Sequence, residues 1–535
     1  MDKVQPRILI VAAATLALIA ANDGGGGAPK FYPDDPLWTL PAPLPVKDPH
    51  KRKINALYDF VVNTVATPGD KQLPGAPIIA KDINTLGEIP DDPFYTNRNR
   101  ARRMTIDELR RGAWRGNEPV APFKVVGSKT EGITPGFQIL DAKNRRYLCK
   151  PDPRSNPEMA TAADVVSSKL FYALGYNVPE NYILYFTPNE LSIDPKAKVT
   201  PAGGREREMN RDDLNRVLSV MPRDREGRYR VMASLFIEGK GIGPFRWFGV
   251  RADDPNDIWA HEHRRSLRGL YVFASWVNHT DIKAGNTYDT VQQVNGVPVI
   301  RHYLIDFGAS LGSDSDEPKN ARLGHEYMID KRASRLLPRM FDLGLYSPDW
   351  ERADYPNIKS VGRFEAETFD ADTWTSNYPN PAFLNRLPDD TFWAAKQVVA
   401  FTEPEVRAMV ETGEYSDRAA VDYMVKTLIE RRDKIGRTFF EKVLPLDNFA
   451  VRGGQLAFDD LAAKYGYAPV RDYRFEWFAF DNRTGQRTPL QGAAGPSVPS
   501  RASGYTVAKV TSPGNDKSVW VYLRGADVVG IERTW

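Results

Sequence analysis

Two short polar segments, His279–Asn286 (HTDIKAGN) and Asp306–Gly308 (DFG), flank a stretch of alternating apolar residues with Asn295-Gly296 at its middle. An Asn-Gly pair between two β-prone runs is a strong hairpin signal, because both positions of the tight turn need positive φ. A hairpin returns the chain to the end where it began, so the two polar segments are predicted to face one cleft. Few features of the sequence constrain the fold as tightly. The cleft would gather Asp281, Lys283, Asn286 and Asp306, and each residue type has a chemical use there. A carboxylate at Asp281 can orient a hydroxyl and take its proton, while Lys283 can neutralise charge that develops beside it. Asn286 and Asp306 offer the hard oxygen donors that Mg²⁺ prefers, and Gly308 lets the backbone turn sharply beside them. Either segment alone is weak, since DFG arises by chance and DxKxxN can be a solvated charge cluster. Their order, behind an apolar helix predicted over His263–Val277, gives the pair its force.

The 535 residues leave room for several domains, and 41% hydrophobic content with 25 Phe and 23 Tyr supplies a sizeable core. Lys plus Arg total 72 against 69 Asp plus Glu, so no chain-wide basic field points to nucleic acid as a partner. The basic runs Lys51–Lys53 and Arg98–Arg103 read as solvated surface or local ion pairs. The single cysteine, Cys149, excludes an intrachain disulfide framework and a cysteine-built zinc site; it reads as a buried, inert thiol. His261-Glu262-His263 is not an HExxH pattern, and beside Arg264 and Arg265 it reads as the start of a surface helix.

At the N-terminus, Lys3 and Arg7 precede the apolar run Ile8–Ala21, whose 14 residues suit the core of an export signal better than a membrane span. Residues 1–22 are therefore expected to be a signal peptide, with a buried helix as the alternative and export as the expected fate. No later stretch approaches the length of a membrane helix. Residues 23–117, rich in Pro and charge, read as a wrapping extension. Residues 118–240 hold short β-prone runs (FKVVGS, GFQIL, RRYLCK, NYILYF, YRVMASLFI) and one helix predicted over Pro157–Leu174, with the charged segment before Tyr229 read as an insertion. Residues 241–445 turn mainly helical, and 446–535 form a small β-rich module whose Gly492–Gly504 stretch reads as a loose loop.

The two polar segments together match the catalytic loop and DFG motif of protein kinases. With Lys150 closing RRYLCK and DVVSSKLFYALGYNVPE (Asp164–Glu180) following it, the chain resembles the protein-kinase-like superfamily from about Phe123 to Gly312. Within that superfamily it is similar to the atypical bacterial and secreted branch, the HipA-type, CotH-type and secretory-pathway kinases. The resemblance implies an α+β fold with an antiparallel β-rich N-lobe and a mainly helical C-lobe, and it implies ATP and Mg²⁺ as cofactors. It further implies phosphoryl transfer to a hydroxyl of a protein, glycan or small molecule. Lys150 would grip the nucleotide phosphates, held by a carboxylate of the next helix; Asp164 is favoured over Glu158, whose first-turn position suits the helix dipole. Asp281 would be the base with Lys283 beside it, and Asn286 and Asp306 would hold the metal. Gly127, Gly132 and Gly136 could cover the phosphates, although GSKTEGITPG is not GxGxxG, and backbone groups near Phe236–Glu238 could take adenine. No APE-like motif follows Gly308. A catalytically silent pseudokinase scaffold and AMP transfer on the same fold stay open as alternatives.

Overall fold

Alternating burial along Phe123–Ser128 (β1), Phe137–Leu140 (β2) and Arg146–Pro151 (β3) puts Phe123, Val125, Phe137, Ile139, Tyr147 and Cys149 on one face. The three strands pair antiparallel in sequence order, as a period-2 pattern with one buried face requires. The computed structural model describes residues 28–128, 136–200, 205–332, 347–499 and 504–535. The proposed signal peptide and Gly132 lie outside them.

Asn181–Phe186 (β4), Leu191–Val199 (β5), Arg207–Glu208 (β6) and Tyr229–Leu235 (β7) complete a seven-stranded sheet of order β4-β7-β3-β2-β1-β5-β6. This corrects the reading of the segment before Tyr229 as an insertion. β5 runs parallel to β1, with Phe123 opposite Leu191, and the helix Arg211–Ser219 buries Leu214 and Leu218 in the sheet's own core. Its charges lie on the outer face of an amphipathic helix and hid that burial from a composition argument.

The helix Met159–Ala173 is buried along nearly its whole length. Its apolar side chains Val166, Leu170 and Phe171 belong to the large core of the helical lobe, with Leu267, Phe273 and Trp276 of the helix Arg265–Trp276. One helix therefore belongs to both lobes. Past Phe236–Gly239 the chain forms Lys240–Gly243 (β8), Thr287–Val294 (β9) and Val297–Leu304 (β10), a sheet of order β10-β9-β8. β9 and β10 form the expected hairpin, with Asn295 at φ 52° and Gly296 at φ 79°. The helices Pro388–Val399, Glu403–Val410 and Arg418–Phe440 complete this lobe. The fold is α+β and two-lobed.

Leu446–Arg452 (β11) and Gln455–Asp460 (β12) form a hairpin next to a five-stranded sheet. That sheet contains Arg474–Phe480 (β13), Arg487–Pro489 (β14), Tyr505–Thr511 (β15), Ser518–Arg524 (β16) and Asp527–Arg533 (β17). The Gly492–Gly504 stretch is not loose where it is described. Trp477 Nε1 donates to the Gly495 carbonyl, and the amides of Leu456 and Val498 tie it to the β11–β12 hairpin.

Residues 28–117 touch every other part. Phe31 packs on Phe480, Tyr505 and Tyr522 of the C-terminal sheet, Glu88 binds Lys396, and Tyr95 packs on Trp393 and Tyr176. His261-Glu262-His263 is a buried 3₁₀ turn, which overturns its reading as a surface helix start. Its neighbours Arg264 and Arg265 are buried on Asp92, Asp257 and Asp390, so what reads as a basic surface is a neutralised interior. Glu262 accepts from the amides of Asp70 and Gly249, and Arg268 donates to His263 Nδ1, so these groups are engaged within the protein. Among the described residues no helix is long and apolar enough to cross a membrane.

Candidate functional site

The β3 pleat turns Tyr147 and Cys149 into the sheet core and sends Lys150 the other way, toward the helical lobe. Lys150 Nζ lies 3.0 Å from Asp164 Oδ2 and 2.7 Å from Asp306 Oδ1, so one ammonium joins strand, helix and DFG loop. Asp164 Oδ1 accepts from Asn181 Nδ2 at 2.8 Å. Glu158 points elsewhere, accepting the Ser416 amide at 2.9 Å, so the carboxylate facing Lys150 is Asp164. Burial works against the Lys150 ammonium, but its two acidic partners outweigh that and raise its pKa above the ordinary lysine value. Burial also pushes the Asp164 carboxyl up, and Lys150 only partly pulls it back. One cation shared by two acids leaves a net negative charge, and the less exposed acid bears the cost.

The DFG loop is fixed to the same helix. Fully buried Phe307 stacks on Phe171 with ring centroids 5.1 Å apart, and Ser310 Oγ lies 2.7 Å from Ser167 Oγ. Asp306 has a φ of 63°, a left-handed turn that aims its side chain at Lys150. A side chain on Gly308 would come within 3.0 Å of Ser315 Oγ, so a glycine suits this crowded bend.

The hairpin base sets the other segment. Thr287 pairs with Leu304 at the end of the ladder, and the Ile305 amide donates to the Asn286 carbonyl at 3.0 Å, one residue before Asp306. Asn286 Nδ2 donates to the Asp281 carbonyl at 2.8 Å and to Asp281 Oδ2 at 3.0 Å. Lys283 Nζ reaches the same Oδ2 at 2.8 Å. Burial opposes the Lys283 ammonium, and Asp281 more than offsets it, so its pKa is raised. With its NH₂ committed to Asp281, Asn286 keeps its side-chain oxygen as a possible ligand. Together with the 37% exposed Asp306 carboxylate this gives two hard oxygen donors, a set that fits Mg²⁺.

Three residues near this centre escape the sequence reading or gain a role. His279 Nδ1 donates to the Ala309 carbonyl at 3.2 Å, and burial pushes its pKa down to about 4, so it serves as a neutral tie between the two loops. Lys319 is 1% exposed; its Nζ donates to Thr280 Oγ1 at 3.0 Å and to the Ala309 carbonyl at 3.2 Å. Burial lowers its pKa, with Asp314 opposing. Tyr378 closes the outer side, donating to Asp59 Oδ2 at 2.7 Å, while the neighbouring Asn377 amide bonds the Thr280 carbonyl at 2.9 Å.

The remaining expected residues stand apart. Gly127 sits at a bulge in β1, where a side chain would approach the Lys198 carbonyl to 3.3 Å, so β5 accounts for its small size. Glu238 is exposed at the crossing between lobes, and its carbonyl accepts Gln292 Nε2 at 3.0 Å. The Phe236 amide is also engaged, donating to the Arg146 carbonyl at 3.0 Å.

No family model matches the sequence, and no curated protein matches it. Among solved structures it is similar to the Helicobacter pylori proinflammatory kinase CtkA, at 9% identity and a TM-score of 0.31. The similarity covers 60% of this chain and 97% of that one. Along the chain the parts follow in the order of the lysine-bearing strand, the helix with Asp164, the crossing between lobes, the polar loop, the hairpin and the DFG loop.

Proposed function

We propose that the protein is an ATP- and Mg²⁺-dependent phosphotransferase that moves the γ-phosphoryl group to a hydroxyl of its acceptor. The observation that carries this reading is the Lys150 ammonium lying between Asp164 and Asp306. The base of the hairpin meanwhile holds Asp281 and Asn286 beside that loop. Asp281 would act as the base. Lys283 and Asn286 both bond its Oδ2, which orients the carboxylate and leaves Oδ1 to accept the hydroxyl proton. In the transfer the acceptor oxygen bonds to Pγ, the bond from Pγ to the β–γ bridging oxygen breaks, the proton passes to Asp281 and ADP leaves. Asn286 and Asp306 would hold Mg²⁺, which when bound offsets charge on the phosphates. Lys150, steadied by Asp164, would position them.

The test begins with thermal stabilisation by ATP, with and without Mg²⁺, in the native protein and in Asp306→Asn. It continues with label transfer from γ- and α-labelled ATP. Mg²⁺-dependent stabilisation lost in Asp306→Asn, with γ-label transferred, is the expected result. Transfer of the α-label would instead assign AMP transfer, and stabilisation without any transfer would leave a pseudokinase scaffold. We also propose that residues 1–22 direct export, which fractionation of cells expressing the full chain tests.

A further inference from the structure

The helix Ala56–Val65 is built inside out. Its buried residues are Asp59, Asn63 and Thr64, whereas Leu57 is 72% exposed, Tyr58 65%, Val61 45% and Val65 66%. The polar side faces the segment behind the polar loop. Asp59 accepts the Tyr378 hydroxyl, and Phe60 packs edge-on against the same ring at 5.5 Å. From Tyr378 the backbone runs through Asn377 to its bond with Thr280, the residue before Asp281. Nearby, Met328 and Ile329 are each about half exposed; the Met328 amide bonds the Asn377 carbonyl, and Lys331 reaches the Thr64 carbonyl at 3.4 Å. Scattered surface apolar residues need no explanation, but a contiguous ledge beside a reactive carboxylate does.

The ledge has a sign. Lys51 and Lys53 precede the helix and Lys71 and Lys331 follow it, and none of the four is ion-paired with an acid among the described residues. The acids nearby are committed: Asp59 to Tyr378, Asp330 to Arg332 and Asp70 to His263. A sugar or small polar metabolite would be recognised by convergent hydrogen-bond donors, which an apolar ledge lacks. Apolar side chains with cations at both ends are complementary to a chain that carries apolar and acidic side chains together.

We propose that this face docks the acceptor, and that the acceptor is a polypeptide whose segment lays apolar side chains on Leu57, Val61 and Val65 and acidic ones toward the flanking lysines. Docked there, it presents a nearby hydroxyl side chain to Asp281. The proposal rests on the phosphotransferase reading for its chemistry, but its test reads binding alone, without nucleotide. Failure of label transfer would sink that reading without touching the docking result.

The full chain carrying Val61→Cys serves as the reporter. Cys149 is buried and its thiol is held protonated by burial, so a maleimide reads the introduced thiol selectively. The probe is a synthetic helical peptide of Leu and Glu; a Leu/Lys peptide and equimolar phosphatidylcholine–phosphatidylserine vesicles are the comparisons. The expected result is rapid labelling of the free protein, slowed by the Leu/Glu peptide. Binding of that peptide should weaken by about tenfold or more in both Leu57→Glu/Val65→Glu and Lys51→Glu/Lys53→Glu. Three results would each overturn the proposal: an introduced thiol already protected in the free chain, meaning its own residues cover the face; equal protection by the Leu/Lys peptide; or protection by vesicles and not by the Leu/Glu peptide.

Discussion

Replacing Lys150 with Met keeps the length of the side chain and removes the charge on which two carboxylates depend. Asp164 is 3% exposed at its side chain, and its polar contacts are Lys150, Asn181 and a backbone amide, so the variant leaves a buried carboxylate with neutral donors only. Stripping one member from a buried pair costs about 3–5 kcal/mol. For a lobe of this size that corresponds to a fall of order 10 °C in melting temperature. The loss has a pH signature. In the variant the folded-state pKa of Asp164 rises further above its unfolded value, so the folded protein binds a proton the unfolded chain does not. The penalty is then complete above the raised pKa and relieved as pH falls through it. Thermal melts of native protein and variant from pH 8 to pH 5 should therefore converge toward acid. Lys150→Met/Asp164→Asn should recover much of the loss at pH 8, because no unpaired charge remains. A loss independent of pH, or a double variant as unstable as the sum of the singles, would refute the account of one cation neutralising a buried acid.

Other perturbations probe the rest of the centre. Asp281→Asn should lower label transfer by about 10²–10⁴-fold and leave nucleotide-dependent stabilisation intact; retained transfer would remove Asp281 from the role of base. Lys319→Met should change stability by no more than about 1 kcal/mol, since the cost of burying the ammonium offsets the attraction of Asp314 3.7 Å away, yet slow transfer by roughly tenfold to a hundredfold as the Thr280–Ala309 tie loosens. Melting and initial rates on the same preparation separate the two effects, and unchanged rates would confine Lys319 to packing. The helix Arg265–Trp276 has no side-chain cap of its own, and Asp82 caps it from afar by accepting the amides of Arg265 and Ser266. Asp82→Ala should cost about 1–2 kcal/mol in urea denaturation, and no loss would reject that role. His279, held neutral with a pKa of about 4 against about 6.5 when unfolded, should cost stability as pH falls from 6.5 toward 4. His279→Asn should thus unfold at lower pH than the native protein, and an unshifted acid midpoint would contradict the burial argument.

The parts of the centre that were legible in the sequence are those whose geometry is local. Asn295-Gly296 dictates a tight turn, the turn dictates that His279–Asn286 and Asp306–Gly308 share one end, and the ladder from Val294–Val297 to Thr287–Leu304 delivers it. Lys150 and Asp164 are 14 residues apart on a strand and the helix after it, and there the resemblance to kinases, not a local pattern, suggests the pair, with Glu158 as the competitor. Lys319 and Tyr378 gave no such signal. Lys319 stands in a charged loop that reads as solvent-facing, and Tyr378 meets Asp59 across 319 residues of chain. The same blindness made His261–Arg265 look exposed. Charged residues read as surface until their partners are known, and the partners of Arg264 and Arg265 come from Asp92, Asp257, Asp389 and Asp390.

A change in composition near residue 117 separates a Pro- and charge-rich extension from the sheet that follows, but several buried polar contacts of the helical lobe cross that line. Asp82 caps the helix leading to the polar loop, Asp92 neutralises Arg264, and Glu88 shares Lys396 with Asp447 of β11, tying the C-terminal module to the same point. Each of these cations is nearly inaccessible, and a buried charge without its partner costs several kcal/mol. The helical lobe is therefore electrically incomplete without residues 82–92. Since that lobe holds the helix running into His279–Asn286, the extension belongs to the machinery that places Asp281, although its composition alone reads as a wrapping.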